Sequence, residues 1–356
     1  MIMDDLQLLR EMRSDVGTPP PATLARGRNA LLRKIDPGSG AMPDDGSRRR
    51  RVVTRRFTLA AAAALVLVGG TVAADVLIPA SKGGASAEAA EVLNKAAAAT
   101  IKTSDPVVKP GQYLKVDTKA VYGGSLVNSS GKQIFWKSTQ NGQLYIPADL
   151  SAEWVWNREE RNPVEFQDEE SKADILAMYA QQKAERTPNG EFNPQAGGVL
   201  RAKGGAFLGH EPQVLIGTSL KDAASLPRDP QKLLDLIYER TKGAGKTPEL
   251  EAFVTISDGL RMGAVPADLR AAMYKAAALI PGVVMADKQA TVDGRKGIAI
   301  GMPLPGGGSR DDIIIDPSTG LVIGERDILL KDYPGAPAGT VQSWTAIKTS
   351  VVDSAP

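Results

Sequence analysis

The sequence predicts an α+β architecture: one transmembrane helix, then an extracytoplasmic antiparallel sheet domain with a central helical block. Three observations carry this. Segments of two-residue apolar alternation stand at both ends of residues 112–356, with turn signals between neighbours, as antiparallel strands require. Between them, residues 229–282 carry three apolar stripes at helical spacing, each introduced by a proline. Upstream, six arginines lead into an unbroken apolar run from Phe57 to Ala74. A half-barrel of the lipoprotein-carrier kind is one form such a sheet could take.

Residues 1–36 hold two short amphipathic segments separated by Pro19, Pro20 and Pro21. The first presents Leu6 and Leu9; the second presents Leu24, Leu31, Leu32 and Ile35 among basic residues. Helices this short are marginal alone in water. They become ordered only against a partner or a membrane surface, and otherwise form a structureless tail. These six positions are therefore the expected partner contacts. Residues 37–56 read as a flexible basic linker.

Residues 57–78 read as the membrane span, with Asp75 near the outer interface. Arg48, Arg49, Arg50, Arg51, Arg55 and Arg56 lie immediately before it, and the positive-inside rule places that flank in the cytoplasm. An uncleaved anchor fits better than a signal peptide, whose basic region would be about 56 residues and far beyond the ordinary pattern. A buried core helix would put six arginines at the wrong end for its dipole. The expected address is thus the cell membrane, single-pass, with the C-terminal domain outside. Residues 79–111 form an Ala/Gly/Ser-rich stretch with a short helix from about residue 85 to 100, either docked on the domain or serving as a stalk.

In residues 112–356, alternation marks strands at 113–122, 132–139, 144–147 and 152–159, with a tight-turn signal at Asn141-Gly142. Residues 168–185 read as a helix with Ile175, Leu176 and Tyr179 inward. Asp229-Pro230, Thr247-Pro248 and Pro266 open three further helices. Strands return at 283–292, 296–302, 312–315, 321–326 and 341–352, with turns at Asp293-Gly294 and at residues 316–320.

Composition narrows the chemistry. The 356-residue chain carries a net charge of +2, but residues 1–56 hold 12 Lys+Arg against 7 Asp+Glu, while the remainder is mildly acidic. That asymmetry fits a cytoplasmic flank and gives no reason to expect nucleic-acid binding. With no cysteine and one histidine, thiolate and histidine-cluster metal sites are excluded. No metal, cofactor or catalytic residue is assigned. Gly243-Ala-Gly-Lys-Thr247 lacks the earlier glycine of a phosphate-binding loop, since Arg240 stands there, and it follows a helix. The glycines at 306–308 lack dinucleotide spacing. His210 has neither a second histidine at helical spacing nor a nucleophile elbow. The carboxylates between Glu153 and Asp174 lack calcium-loop order and read as a solvated face. Trp154, Trp156 and Trp344 are either core residues or the lining of a hydrophobic groove.

The opening Met3-Asp-Asp-Leu-Gln-Leu-Leu-Arg10, the arginine-led span, the three-helix block and the closing phrase from Gly339 to Asp353 resemble an actinobacterial family of single-pass, N-in membrane-anchored envelope proteins, often encoded beside extracytoplasmic-function sigma factors. The resemblance covers nearly the whole chain and implies an inner anchor with an outer domain. No catalytic residues are established for the family, so none are carried over. What it implies is a non-catalytic envelope sensor or regulator resembling an anti-sigma factor, binding a sigma factor through residues 4–35 and an envelope lipid or protein through the outer domain. The alternative is a lipid- or lipoprotein-binding module whose curved sheet cradles an acyl chain.

Overall fold

The computed structural model describes residues 83–103, 105–128, 130–184, 196–333 and 336–356. The inner segments, linker and span expected at 1–78, with their six arginines and six apolar contact positions, lie outside the described residues. Among the described residues no helix is long and apolar enough to cross a membrane.

An antiparallel sheet of eleven strands dominates. Its first six are β1 (Tyr113–Val127), β2 (Gln133–Thr139), β3 (Gly142–Pro147), β4 (Glu153–Arg158), β5 (Asn162–Phe166) and β6 (Gly198–Lys203). A short ribbon of β7 (Gln213–Leu215) and β8 (Thr218–Ser219) stands apart from it. The remaining strands are β9 (Val284–Val292), β10 (Arg295–Pro303), β11 (Ser309–Asp316), β12 (Leu321–Leu329) and β13 (Val341–Val352), a meander in chain order. The sheet runs β6-β4-β3-β1-β13-β12-β11-β10-β9, with β2 also on β1 and β5 on β2. The pairing of β1 with β13 therefore joins the first strand of the sheet to the last.

The first hairpin differs from expectation. β2 and β3 do not pair with each other; both pair with β1 in one continuous register, from Val127↔Gln133 to Tyr113↔Pro147. The turn is at residues 128–132, where Asn128 Oδ1 accepts from Ser130 N and Lys132 N. Asn141-Gly142 is instead a break within one long strand. The Asn141 side chain is used there as a clamp, accepting from Ala120 N and donating to Glu159 Oε2. An Asn-Gly pair was a sound turn signal, but its amide was recruited to mend an interrupted ladder.

Five α-helices complete the described residues: α1 (Ala87–Lys102), α2 (Glu169–Ala184), α3 (Pro230–Arg240), α4 (Pro248–Arg261) and α5 (Ala267–Ala277). α1 packs into the domain and does not stand off as a stalk. Its Ala89, Leu93, Ala96 and Ala97 are buried, and it lies along the alanine-rich α5. The turn between β11 and β12 presses on both helices: a Cβ on Gly320 would overlap the Ala96 carbonyl, and Tyr274 Oη donates to Gly320 O. Buried Arg270 fixes the same corner by donating to Asp105 Oδ1 at 2.7 Å and to Val265 O at 2.6 Å. Of the residues expected inward on α2, Ile175 is buried but Leu176 is exposed; α2 covers only β2 and β5, so one narrow stripe suffices.

The main core lies between α3–α5 and one face of the sheet, with Leu233, Phe253, Ile256 and Met273 meeting Ile313 and Ile347. A second, smaller core occupies the other face, where Ala290, Val292, Ala299, Ile314, Ile323 and Ala346 cluster. The sheet curls to make it, since β9 also touches β11, β12 and β13. Gly324 permits the curl: a Cβ there would overlap Thr345 O and meet Val292 at 3.0 Å.

The proline-led helices form as their sequences require. Asp229 accepts from Lys232 N at 2.9 Å and Thr247 from Leu250 N at 3.1 Å, each with proline at the next position. Asp229→Ala is expected to cost about 1 kcal/mol through loss of the cap, read as a lower urea midpoint with unchanged slope.

Candidate functional site

Two cavities adjoin on the helix-bearing face of the sheet. The first, about 410 Å³, lies between α4 and strands β11, β12, β13 and β1. The second, about 380 Å³, lies over the β1–β2 hairpin and the segment around Thr340. Asp327 and Ser343 line both, so together they form one groove. Each is within the size range of small-molecule sites.

Strand register creates the charge in the first cavity. Asp311 on β11 stands directly opposite Asp327 on β12, and Ile313 stands opposite Glu325. Because side chains alternate, Asp311, Glu325 and Asp327 face α4 while Asp312 and Arg326 face away. Burial pushes Glu325 up to about 7, against the pull of Arg261 and with help from Asp258. Burial also raises Asp327 to about 6, reinforced by Asp311 and Asp312. Asp311 rises through burial and Asp312, offset by Lys246.

The two arginines nearby are committed to other carboxylates. Arg261 on α4 donates to Asp258 Oδ1 at 2.8 Å, and its Nε lies 3.0 Å from Glu325 Oε2 without the alignment of a hydrogen bond. On the far face, Asp312 is fully enclosed and receives Arg310 Nε at 2.5 Å and Arg326 Nε at 3.0 Å, and Arg326 also reaches Asp287 at 3.3 Å. Among the described residues, neither Asp311 nor Asp327 has an ion-pair partner. Asp327 Oδ1 is buried without a hydrogen-bond partner.

The second cavity is aromatic. Trp136 on β2 lies over Gly124, where any Cβ would collide with the indole, and Phe135 and Phe166 add apolar surface. Gly123 lets β1 approach β13 closely enough for its N–H to donate to Ser343 Oγ at 2.9 Å. The successive glycines Gly123 and Gly124 thus hollow the floor of the groove.

The tryptophans expected to share a groove do not meet. Trp154 is 1% exposed in the main core, where its Nε1 donates to Leu150 O at 3.0 Å. Trp156 packs on Phe207 and under the Arg158 guanidinium. Trp344 stands on the opposite sheet face beside the second core, although it borders the first cavity. Trp154 and Trp156, two apart on β4, share a sheet face, whereas Trp344 lies on the other face against the second core. Trp136, which the sequence reading left unused, is the groove tryptophan; its pairing opposite a glycine was the available signal.

The remaining candidates lie elsewhere. His210 is exposed at the end of a 3₁₀ turn, and Gly243–Thr247 is an interhelical loop whose Lys246 lies near Asp311. The acidic stretch from Glu153 to Asp174 is tied off in surface pairs with Arg201, Lys183, Lys137 and Lys132. Among the described residues no group of His, Cys, Asp and Glu is arranged to hold a metal ion.

No protein-family profile matches the chain. No curated protein matches it either. The crystal structure of a DUF1329 family protein from Desulfovibrio piger is similar at 11% identity, covering 74% of this chain and 92% of that one, with a TM-score of 0.16. At that TM-score the likeness carries no argument about function.

Proposed function

We propose that residues 83–356 form a non-catalytic ligand-binding module of the cell envelope, a half-barrel of the lipoprotein-carrier kind whose groove takes an amphipathic envelope ligand. The module stands outside the membrane on a single N-in span at residues 57–78, anchored in the bilayer by that helix and its arginine collar. Residues 4–35 report occupancy inward by holding a cytoplasmic partner such as a sigma factor. The carrying observation is the groove itself: two adjoining cavities on one sheet face, hollowed by Gly123 and Gly124 and walled by Trp136 at one end. A curved antiparallel sheet with one face opened by glycine suits an elongated apolar ligand.

Native mass spectrometry of the full chain, released from nanodiscs, tests the binding. A bound amphiphile is expected on the wild type and is expected to be lost from Gly124→Val, whose side chain drives the Trp136 indole into the cavity. Thr340→Trp on the opposite rim repeats the block without touching β1. Equal ligand on all three proteins would sink the reading. The inward half is tested by a bacterial two-hybrid assay of residues 1–56 against the neighbouring sigma factor, and absence of a signal there removes the anti-sigma role alone.

A further inference from the structure

The groove is chemically lopsided. One end is apolar and aromatic, with Trp136, Phe135 and Phe166. The other gathers Asp311, Glu325 and Asp327. Two aspartates placed directly opposite each other on paired strands repel, an arrangement that costs stability unless a cation intervenes. Among the described residues none intervenes. Arg261 is engaged by Asp258 and Glu325, and Arg326 by Asp312 and Asp287. Lys246 approaches Asp311 from the α3–α4 loop without forming an ion pair. The buried Oδ1 of Asp327, with no hydrogen-bond partner, lies at the junction of the two cavities. A local conflict of this kind, left uncompensated within the fold, marks a place where an outside group completes the structure.

We propose that the groove takes a single-chain amphiphile bearing a primary ammonium group, with the ammonium between Asp327 and Asp311 and the chain along Trp136 and the Gly123–Gly124 floor. This rests on the ligand-binding reading above and names its ligand class. A primary ammonium offers three donors on a compact positive charge. That matches the unpartnered Asp327 Oδ1, the Asp311 carboxylate and the nearby Ser343 hydroxyl. An anionic headgroup would find every arginine of the cavity already paired and two unpaired carboxylates facing it. Charge complementarity therefore selects the cation.

The test is isothermal titration of the full chain in nanodiscs with n-octylammonium, octanol and octanoate at pH 8, with Asp327→Asn and Gly124→Val in the same nanodiscs to cancel partitioning into lipid. The wild type is expected to saturate with octylammonium at one site and to bind octanoate at least about tenfold more weakly, the size of one charge-assisted contact. Asp327→Asn is expected to lose about tenfold for octylammonium, with octanol unchanged. Lowering the pH to 5 is expected to weaken octylammonium binding, because Glu325 and Asp327, which face the site together with Asp311, Asp258, Arg261, Lys246 and the backing Asp312, then take up protons. Octanol or octanoate binding as tightly as octylammonium, with Gly124→Val still blocking all three, overturns the cationic assignment and leaves the groove reading standing. No saturable binding of any probe, with Gly124→Val identical to wild type, overturns both. Thermal melts of each variant establish that it folds, and Thr340→Trp replaces Gly124→Val if the latter does not.

Discussion

Asp312→Ala is expected to lower the unfolding free energy by about 3–5 kcal/mol, the usual cost of removing one partner from a buried ion pair. Asp312 has no solvent exposure and is the common acceptor for Arg310 and Arg326, whose side chains are themselves 15% and 12% exposed. Removing it leaves Arg310 without a carboxylate and Arg326 with only the longer contact to Asp287. The site is built around that carboxylate: Gly301 stands opposite Asp312 in the register, and a Cβ there would overlap Oδ1. Asp312→Asn keeps the shape and one acceptor and is expected to lose less. Lys95→Ala serves as control. The Lys95–Glu91 pair is equally short at 2.5 Å but 72% and 64% exposed, so solvent screening should leave stability nearly unchanged on its loss. Urea titrations of the three variants read the ordering directly. Asp312→Ala behaving like Lys95→Ala would mean that the network contributes nothing to the fold.

What the sequence disclosed and what it withheld follow one physical division. Local signals were legible. The aspartate and threonine caps before Pro230 and Pro248 appear where the residues required them, as does the Asp293-Gly294 turn with both residues at positive φ. The outer strands of the C-terminal meander were read within a few residues. Nonlocal facts were not legible. β5 and β6 are short, largely exposed strands whose alternation is weak, and they exist because β2 and β4 offer them an edge. The continuous pairing of β2 and β3 with β1 overrode an Asn-Gly signal that alone predicts a turn. The candidate site suffered most. The carboxylates crowded between Glu153 and Asp174 lie on the surface, most of them in ion pairs, as the solvated-face reading expects. The consequential ones, Asp311, Glu325 and Asp327, are scattered through two strands that read as ordinary sheet. They become a cluster only through the register of β11 on β12 and the placement of α4 above it. The one local hint was Asp311-Asp312 at the head of an otherwise all-isoleucine strand segment, where the two faces of a strand each receive a charge.

The same cluster predicts an inverted pH dependence of stability. Glu325 titrates near 7 and Asp327 near 6 in the folded chain, both above their ordinary values. The native state therefore binds protons more tightly than the unfolded chain between about pH 4 and 7, and stability falls as pH rises through that window. For Glu325 the contribution is fully present below about 4.5 and lost above about 7, amounting to on the order of 3 kcal/mol. Carboxylates held low work the other way: Asp168, drawn down to about 2 by Lys132 and Ser171, and Asp268, drawn down by Arg228, favour the fold until the pH drops below about 4. Greatest stability is expected near pH 5, with a decline toward pH 8. Glu325→Gln should flatten the decline, leaving pH 5 stability nearly unchanged and raising it at pH 8. Arg261 is not orphaned by that change because it keeps Asp258 at 2.8 Å. Denaturant titrations at half-unit pH steps on both proteins decide the matter. A wild-type profile that is flat or rising from pH 5 to 8, with Glu325→Gln superimposable on it, would show that these carboxylates ionise freely. A saturating n-octylammonium concentration should flatten the wild-type decline in the same way, since a cation between Asp311 and Asp327 removes the reason for protons to bind there.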